Sequence, residues 1–337
     1  MRQQTNIFPG TNCRHQSRMI GSLGERQLIE SIRQWLGPVA PPAPLGMGDD
    51  CAVLPATAAS DQLLITTDSL TYGQHFDQTA SPQQAGAKLI KRNLSDIAAM
   101  GGTPGHALLN LLCGADLAID WLEQFVGGLR DCCLDYGVSI VGGDVSQLAA
   151  GQFTAALTLC GTSGDRPLLR STAAIGDAIC VTGMLGGSIR GKHLSFEPRL
   201  AAGQWLAAHR ACSAMMDVSD GLGKDLAALL PAGSSASIDR QLLPISDDAR
   251  ACAREDGQSA EAHAFCDGED YELLFTVAAA SDWRAFETDW QAQFPDLRLS
   301  QIGRIVAANP ASPARYLDAA SGAALPWQSG FEHFKHR

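Results

Sequence analysis

Six short acidic clusters recur along the chain, each beside glycine or hydroxyl residues: Gly48-Asp49-Asp50, Thr66-Thr67-Asp68, Asn93-Leu94-Ser95-Asp96, Gly142-Gly143-Asp144, Asp217-Val218-Ser219-Asp220-Gly221 and Gly268-Glu269-Asp270. Carboxylate and hydroxyl oxygens suit hard divalent cations. Mg2+ in particular is held by one or two carboxylates together with waters and substrate phosphates, not by an all-protein cage. The pattern therefore points to magnesium-dependent phosphate chemistry. A single Asp next to Gly is ordinarily a turn or a helix cap, so it is the recurrence that carries the metal reading. For Asp96 the spacing leaves two readings open, a metal ligand or a surface pair with Arg92 one helical turn earlier.

These residues need elements to position them. Leu28, Ile29, Ile32 and Leu36 recur at helical spacing and predict an opening helix over 24–35. A β-branched run predicts a strand over 62–67 whose end delivers Asp68. A helix over 81–100, stopped by Gly101-Gly102, carries Asn93 and Asp96. A further helix over 117–136 leads through Gly137 into a strand, 138–141, that ends at Gly142-Gly143-Asp144, and another strand covers 153–160. The turn-rich segment 161–165 marks the domain boundary. Beyond it the pattern predicts a strand (178–182), a helix, the acidic turn at 217–221, a second helix and a late strand (271–277).

Gly186-Gly187-Ser188-Ile189-Arg190-Gly191-Lys192 fits the first seven positions of a phosphate-binding loop. The eighth should be Ser or Thr, whose hydroxyl holds Mg2+, and here it is His193, so that reading is set aside.

Composition narrows the class. The 337 residues allow two domains, with 45% hydrophobic and 18% charged residues and 34 glycines, as in a globular protein. A formal net charge of -11 and the lack of a basic run argue against nucleic acid. No apolar stretch reaches the roughly 18 residues that suggest a membrane span. Residues 1–22 are polar, without the apolar core of a signal peptide, and are expected to form a flexible extension. The ten cysteines are scattered without Cys-x-x-Cys spacing, which suggests packing thiols in a reducing cytoplasm. Cys51 and Cys266 flank acidic clusters, but thiolate is a soft ligand and these too are read as packing.

The ordered set of Met47-Gly48-Asp49-Asp50, Thr66-Thr67-Asp68 through Phe76, Lys88 through Asn93-Leu94-Ser95-Asp96 to Gly101, Gly142-Gly143-Asp144, Leu169-Arg170-Ser171, Asp217-Val218-Ser219-Asp220-Gly221-Leu222 and Gly268-Glu269-Asp270-Tyr271-Glu272 closely resembles the thiamine-monophosphate kinase family. That family shares a superfamily with aminoimidazole ribonucleotide synthetase, selenophosphate synthetase and a hydrogenase-maturation protein. The resemblance implies a mixed α+β and α/β fold with a dimerising N-terminal sheet domain and a C-terminal α/β domain, here 24–163 and 164–337, preceded by the extension 1–23. It also implies a cytoplasmic homodimer that uses ATP and several Mg2+ ions to convert thiamine monophosphate to thiamine diphosphate, the last step in making that cofactor.

By matched position, the resemblance implies Mg2+ ligands at Asp50, Thr66, Thr67, Asp68, Asp96, Asp144, Asp217 and Asp220. It implies ATP contacts from Tyr136, Gly143, Asp144, Arg170 and Ser219, with Arg170 also steadying the transferred phosphate. Acceptor contacts are implied at His75, Glu269 and a closing aromatic, Phe331 in preference to its neighbour Trp327. One departure stands out: where the family has Gly-Gly-Glu-Asp-Tyr, this chain has Asp267-Gly268-Glu269-Asp270-Tyr271.

No general base is implied, because a phosphate monoester with a second pKa of about 6 is already ionised near neutrality. Two other readings stand beside this one: another superfamily chemistry, ATP-dependent ring closure or selenide activation, and a non-catalytic nucleotide-binding or assembly protein. Selenide activation would want a reactive Cys and a Lys in a glycine-rich N-terminal segment, and Cys13 lacks that setting. A non-catalytic nucleotide-binding protein should have lost at least one of the carboxylates, and the set is intact.

Overall fold

The computed structural model describes residues 19–23, 25–42, 62–164, 166–309, 314–327 and 330. The chain divides into two compact units, Met1–Leu94 with Pro104–Thr162, and Ser95–Thr103 with Ser163–Arg337.

The first unit opens with helix α1 (Glu25–Leu36), which buries Leu28, Ile32 and Leu36 at four-residue steps and packs on helix α3 (Ile119–Tyr136). Ile29, expected on the same face, is exposed. A four-stranded sheet is built from β1 (Gln62–Thr71), β2 (Thr103–Gly114), β3 (Ser139–Leu148) and β4 (Phe153–Ser163), in the order β1-β4-β2-β3. The parallel pair β2–β3 is joined through α3, the crossover that parallel strands require. Between β1 and β2 runs α2 (Pro82–Ala99). It meets α3 at two glycines: a Cβ on Gly86 would lie 1.9 Å from the Phe125 carbonyl oxygen, and one on Gly128 would lie 2.1 Å from that of Gln83. Helix α3 stops at Gly137, whose left-handed φ of 67° lets its N–H bond back into the last turn.

Three expectations change here. The first strand does not end at Asp68 but continues to Thr71, because Leu70 extends the alternation into the core. Gly142-Gly143-Asp144 does not end its strand either. It lies inside β3, where a Cβ on Gly143 would sit 1.8 Å from the Leu109 carbonyl oxygen, so the glycine marks close backbone approach and not a turn. Residues 19–23, placed with the flexible extension, are packed: Met19 bridges Ala118, Ile20 is buried, and the Ile20 and Gly21 amides bond the carbonyls of Leu117 and Ala115, each at 2.9 Å.

The second unit contains a six-stranded sheet in the order β10-β7-β9-β5-β8-β6, formed by β5 (Ala178–Thr182), β6 (Cys212–Asp217), β7 (Ser234–Ile238), β8 (Leu273–Val277), β9 (Leu299–Ala307) and β10 (Tyr316–Asp318). Its pairs are antiparallel except β7–β10. Helices cover both faces. Helices α6 (Leu222–Leu229), α7 (Asp247–Asp256) and α8 (Ala260–Cys266) pack over Ile179, Val181, Ala214 and Met216. On the other face α5 (Leu200–Ala208) and α9 (Trp283–Gln293) pack over Cys180, Met215 and Phe275. Burial on both faces explains why β5 and β8 read as largely apolar runs, interrupted only by Thr182 and Thr276. A short helix, α4 (Lys192–Ser195), follows the glycine-rich turn after β5.

Candidate active site

In the first unit, Thr66, Thr67 and Asp68 lie along β1, and the Thr67 hydroxyl donates to the Leu157 carbonyl at 3.2 Å. Asp68 pairs with Arg92 of α2 at 3.1 Å. Asp144 is exposed on β3 and accepts a 2.8 Å hydrogen bond from the Ser146 hydroxyl. His75 sits in the turn after β1, where its Nδ1 accepts from the Thr71 amide at 2.9 Å. The fully buried Lys88 donates to the His75 carbonyl at 2.7 Å, so its side-chain nitrogen pins this turn to α2. Tyr136 closes α3, and Gly143 lies beside Asp144 on β3.

In the second unit, two acidic clusters about fifty residues apart are laced together through their backbones. The Glu269 amide donates to the Ser219 carbonyl at 2.7 Å, the Tyr271 amide to Val218 at 2.8 Å, and the Val218 amide to Glu272 at 2.8 Å. This brings Asp217 at the end of β6, Ser219 and Asp220 beside Glu269. Asp217 is buried and accepts from the Ser95 hydroxyl at 2.7 Å, which sets Asp96 on the last turn of α2 next to that bond. Asp220 pairs with Lys224 at 2.5 Å. Glu269 faces His193 Nδ1 at 3.4 Å and accepts from the Tyr271 hydroxyl at 3.2 Å. Arg170 is exposed in a 3-10 turn of the second unit, with no ion pair to a described residue.

Glu269 and Tyr271 both adopt left-handed backbone, at φ 63° and 51°. For residues with a Cβ this costs on the order of 1–3 kcal/mol, and such strain gathers at functional sites where the surroundings over-determine it. The late strand accordingly begins at Leu273 and not at Tyr271.

The sequence does not single out Asp225, and it assigns no role to Asp270 or Glu272. Asp225 accepts from the amides of Ser219 and Asp220 at 3.0 and 2.9 Å and so shapes the acidic turn. Burial pushes its pKa up to about 7. Glu272 is buried against a bidentate Arg199 (2.8 Å on each oxygen), Lys192 (2.9 Å) and the Thr182 hydroxyl (2.8 Å). Burial opposes its ionisation, yet the bonds from Arg199 and Lys192 prevail and hold its pKa below the ordinary value. Neighbouring Asp270 is also fully buried, and burial raises it to about 7. The signal for Asp225 was an acidic residue in the first turn of a helix, where backbone amides are unsatisfied.

The phosphate-loop look-alike serves a different purpose. Its Gly186 amide meets both oxygens of Asp270 at 3.0 Å, and its Gly187 amide meets Asp267 at 2.8 Å, so protein carboxylates occupy the donors a phosphate would need. Trp327 packs on Phe265, with ring centroids 5.1 Å apart, under the Arg240 guanidinium. Asp50 and Phe331 lie outside the described residues. All eight described cysteines are free. Burial pushes the Cys132 and Cys212 thiols up to about 12, in keeping with packing.

Among the described residues no three His, Cys, Asp or Glu side chains gather as a metal-holding group. The donors present are hard carboxylate and hydroxyl oxygens supplied one or two at a time, which fits Mg2+ completed by water and phosphate and does not fit a soft metal.

Residues 48–163 match the family model of the AIR synthase related protein N-terminal domain. A thiamine-monophosphate kinase of Rhodopirellula baltica is 36% identical over 79% of this chain and 84% of its own length. That of Haemophilus influenzae is 31% identical over 93% and 99%. The chain belongs to the thiamine-monophosphate kinase family. A solved structure described as AaThiL complexed with AMPPCP and TMP superposes on this kinase with a TM-score of 0.69 and 28% identity, covering 93% of this chain and 98% of that one. A hydrogenase maturation protein, HypE, in complex with ATP gives a TM-score of 0.73 at 19% identity, a likeness of fold alone. No described helix of the kinase is long and apolar enough to cross a membrane.

Proposed function

We propose that this kinase transfers the γ-phosphoryl group of ATP directly and in line to the phosphate of thiamine monophosphate, releasing ADP and thiamine diphosphate. The observation that carries this reading is the 2.7 Å bond from the Glu269 amide to the Ser219 carbonyl, which joins an oxygen-ligand turn to the carboxylate assigned to the acceptor. The kinship with a protein that binds AMPPCP and TMP supports the same pair of substrates.

The chemistry follows from charge. Two phosphates about 4 Å apart repel by roughly 4 kcal/mol at an effective dielectric of 20, and carboxylates alone would add to that. Mg2+ held by Asp68, Asp96, Asp144, Asp217 and Asp220, with Thr66, Thr67 and Asp50, would supply the compensating charge and fix the phosphates for transfer. The protein's own part is to orient these oxygens. Ser95 aims Asp217, Ser146 aims Asp144, and Asp225 holds the amides of Ser219 and Asp220. Arg170 offers an exposed fork of donors to the transferring oxygens. Tyr136, Gly143 and Ser219 are assigned to ATP, and His75, Glu269 and Phe331 to the acceptor. A general base is not needed: the acceptor oxygen is ionised near neutral pH, and His75 already uses Nδ1 to accept the Thr71 amide.

The kinase works in the cytoplasm as a homodimer paired through the first sheet. Leu63, Ile65 and Leu108 are exposed at positions that alternate with buried Leu70, Ala107 and Leu109, offering apolar side chains to a second copy beside the exposed Thr67 and Ser69. Sedimentation equilibrium giving a monomer at micromolar protein would rule the dimer out. The functional reading itself is tested by ADP release with thiamine monophosphate, aminoimidazole precursors and selenide as acceptors. Release with either of the latter two alone would replace it.

A further inference from the structure

The segment Asp267–Glu272 is clasped by the glycine-rich turn 186–193 along its whole length. Gly187 donates its amide to Asp267 at 2.8 Å, the Ser188 hydroxyl donates to the Gly268 carbonyl, and Gly186 donates to Asp270. His193 faces Glu269 at 3.4 Å, and Lys192 bonds Glu272 at 2.9 Å. Asp267 adds a second tie. Its carboxylate lies 3.1 Å from Nδ1 of the buried His263, whose Nε2 lies 3.3 Å from Asp256 at the end of α7.

The backbone of Asp267 is extended, at φ -70° and ψ 142°. Nothing in that conformation calls for glycine. The Asp267 carboxylate instead joins two other segments, through the Gly187 amide and the His263 imidazole. The neighbouring turn has need of it, because Glu269 and Tyr271 hold left-handed φ despite their Cβ atoms. Such a conformation persists only where its surroundings over-determine it. Ser219 and Val218 fix the turn from one side through the Glu269 and Tyr271 amides, and the Gly186–Ser188 clasp fixes it from the other.

We propose that Asp267 is a positioning residue for the acceptor side of the site: its carboxylate, shared between the Gly187 amide and the His263 imidazole, locks the turn that presents Glu269. The inference rests on the assignment of Glu269 to the acceptor. It makes the glycine-rich turn a clasp on the acceptor loop, with the Gly186 and Gly187 amides committed to protein carboxylates.

Asp267→Ala and Asp267→Asn, compared with the parent kinase in hydrogen exchange and steady-state kinetics, test it. In Asp267→Ala the amides of Gly187, Glu269 and Tyr271 should exchange at least about tenfold faster, as expected when a charge-assisted hydrogen bond is lost. The KM for thiamine monophosphate should rise about tenfold while kcat and the KM for ATP stay within about twofold. Asp267→Asn keeps an oxygen for the Gly187 amide and should stay within about threefold of the parent in both readouts. Unchanged exchange in Asp267→Ala, or a KM for ATP that rises as much as that for the acceptor, would overturn the proposal. If the parent did not phosphorylate thiamine monophosphate, the functional reading would fail, and the exchange rates would still decide whether Asp267 locks the turn.

Discussion

Ser95 and Asp217, 122 residues apart in sequence, are joined by a buried 2.7 Å hydrogen bond that ties the last turn of α2 to the end of β6. A buried carboxylate that loses such a donor keeps its desolvation penalty without the compensation, at a cost of about 1–3 kcal/mol. Ser95→Ala should therefore lower the melting temperature and raise the Mg2+ concentration for half-maximal activity. A stable variant with unaltered Mg2+ dependence would show that Asp217 is not aimed by Ser95.

Asp68→Asn, Asp96→Asn, Asp144→Asn and Asp220→Asn should each fold and each lose more than about tenfold in turnover, or 1.4 kcal/mol on the barrier. Asp68 and Asp220 already pair with Arg92 and Lys224. Their amides should thus leave a cation unpaired, and added Mg2+ should recover less activity than in Asp144→Asn. Turnover close to the parent's in all four, measured at limiting Mg2+, would remove the metal assignment.

Glu272 is buried among Arg199, Lys192 and Thr182. Breaking a buried ion pair by removing one partner typically costs about 3–5 kcal/mol, since the other charge remains unpaired. Glu272→Ala should show that loss in urea unfolding. The Glu272 pKa is depressed in the folded protein, so its contribution is present above the unfolded carboxylate pKa and fades as pH falls through the folded value.

For His263, burial disfavours the imidazolium, but the hydrogen bonds and charges of Asp267 and Asp256 outweigh it and raise the pKa above 6.5. The sign follows: the stabilisation is full below the unfolded pKa and disappears as pH rises through the folded one. His263→Gln should have a melting temperature furthest below the parent's near pH 6, with the gap closing toward pH 9. A gap independent of pH would mean that His263 stays neutral in the fold.

Much of this arrangement was legible in the sequence, because helical spacing and β-branched runs are local signals. The span of β5 matches its expected bounds, 178–182, and α2 and α3 differ from theirs by one or two residues. What the sequence obscured were the places where tertiary contact overrides a local cue. Asp68 and Gly142-Gly143 read as strand ends, yet Leu70 is drawn into the core and Gly143 is needed for the approach of Leu109. The acidic motifs were visible one by one. Their lacing through Ser219 and Glu269, the capping by Asp225 and the clasp from Gly186 and Gly187 are long-range backbone bonds that leave no periodic trace. Family likeness supplied the substrate, which no spacing of carboxylates could name.

The most direct measurement compares thiamine monophosphate with free thiamine as acceptor, using purified kinase, ATP and Mg2+ and reading products by fluorescence after oxidation. Both acceptors carry the same thiazolium cation, so an aromatic contact from Phe331 would hold either. Free thiamine offers a neutral hydroxyl that must lose a proton, and no base is assigned to take it. It also lacks the phosphate that would be fixed beside ATP. Rapid formation of thiamine diphosphate from the monophosphate is expected, with barely detectable phosphorylation of thiamine. Equal efficiency with both acceptors would contradict this mechanism.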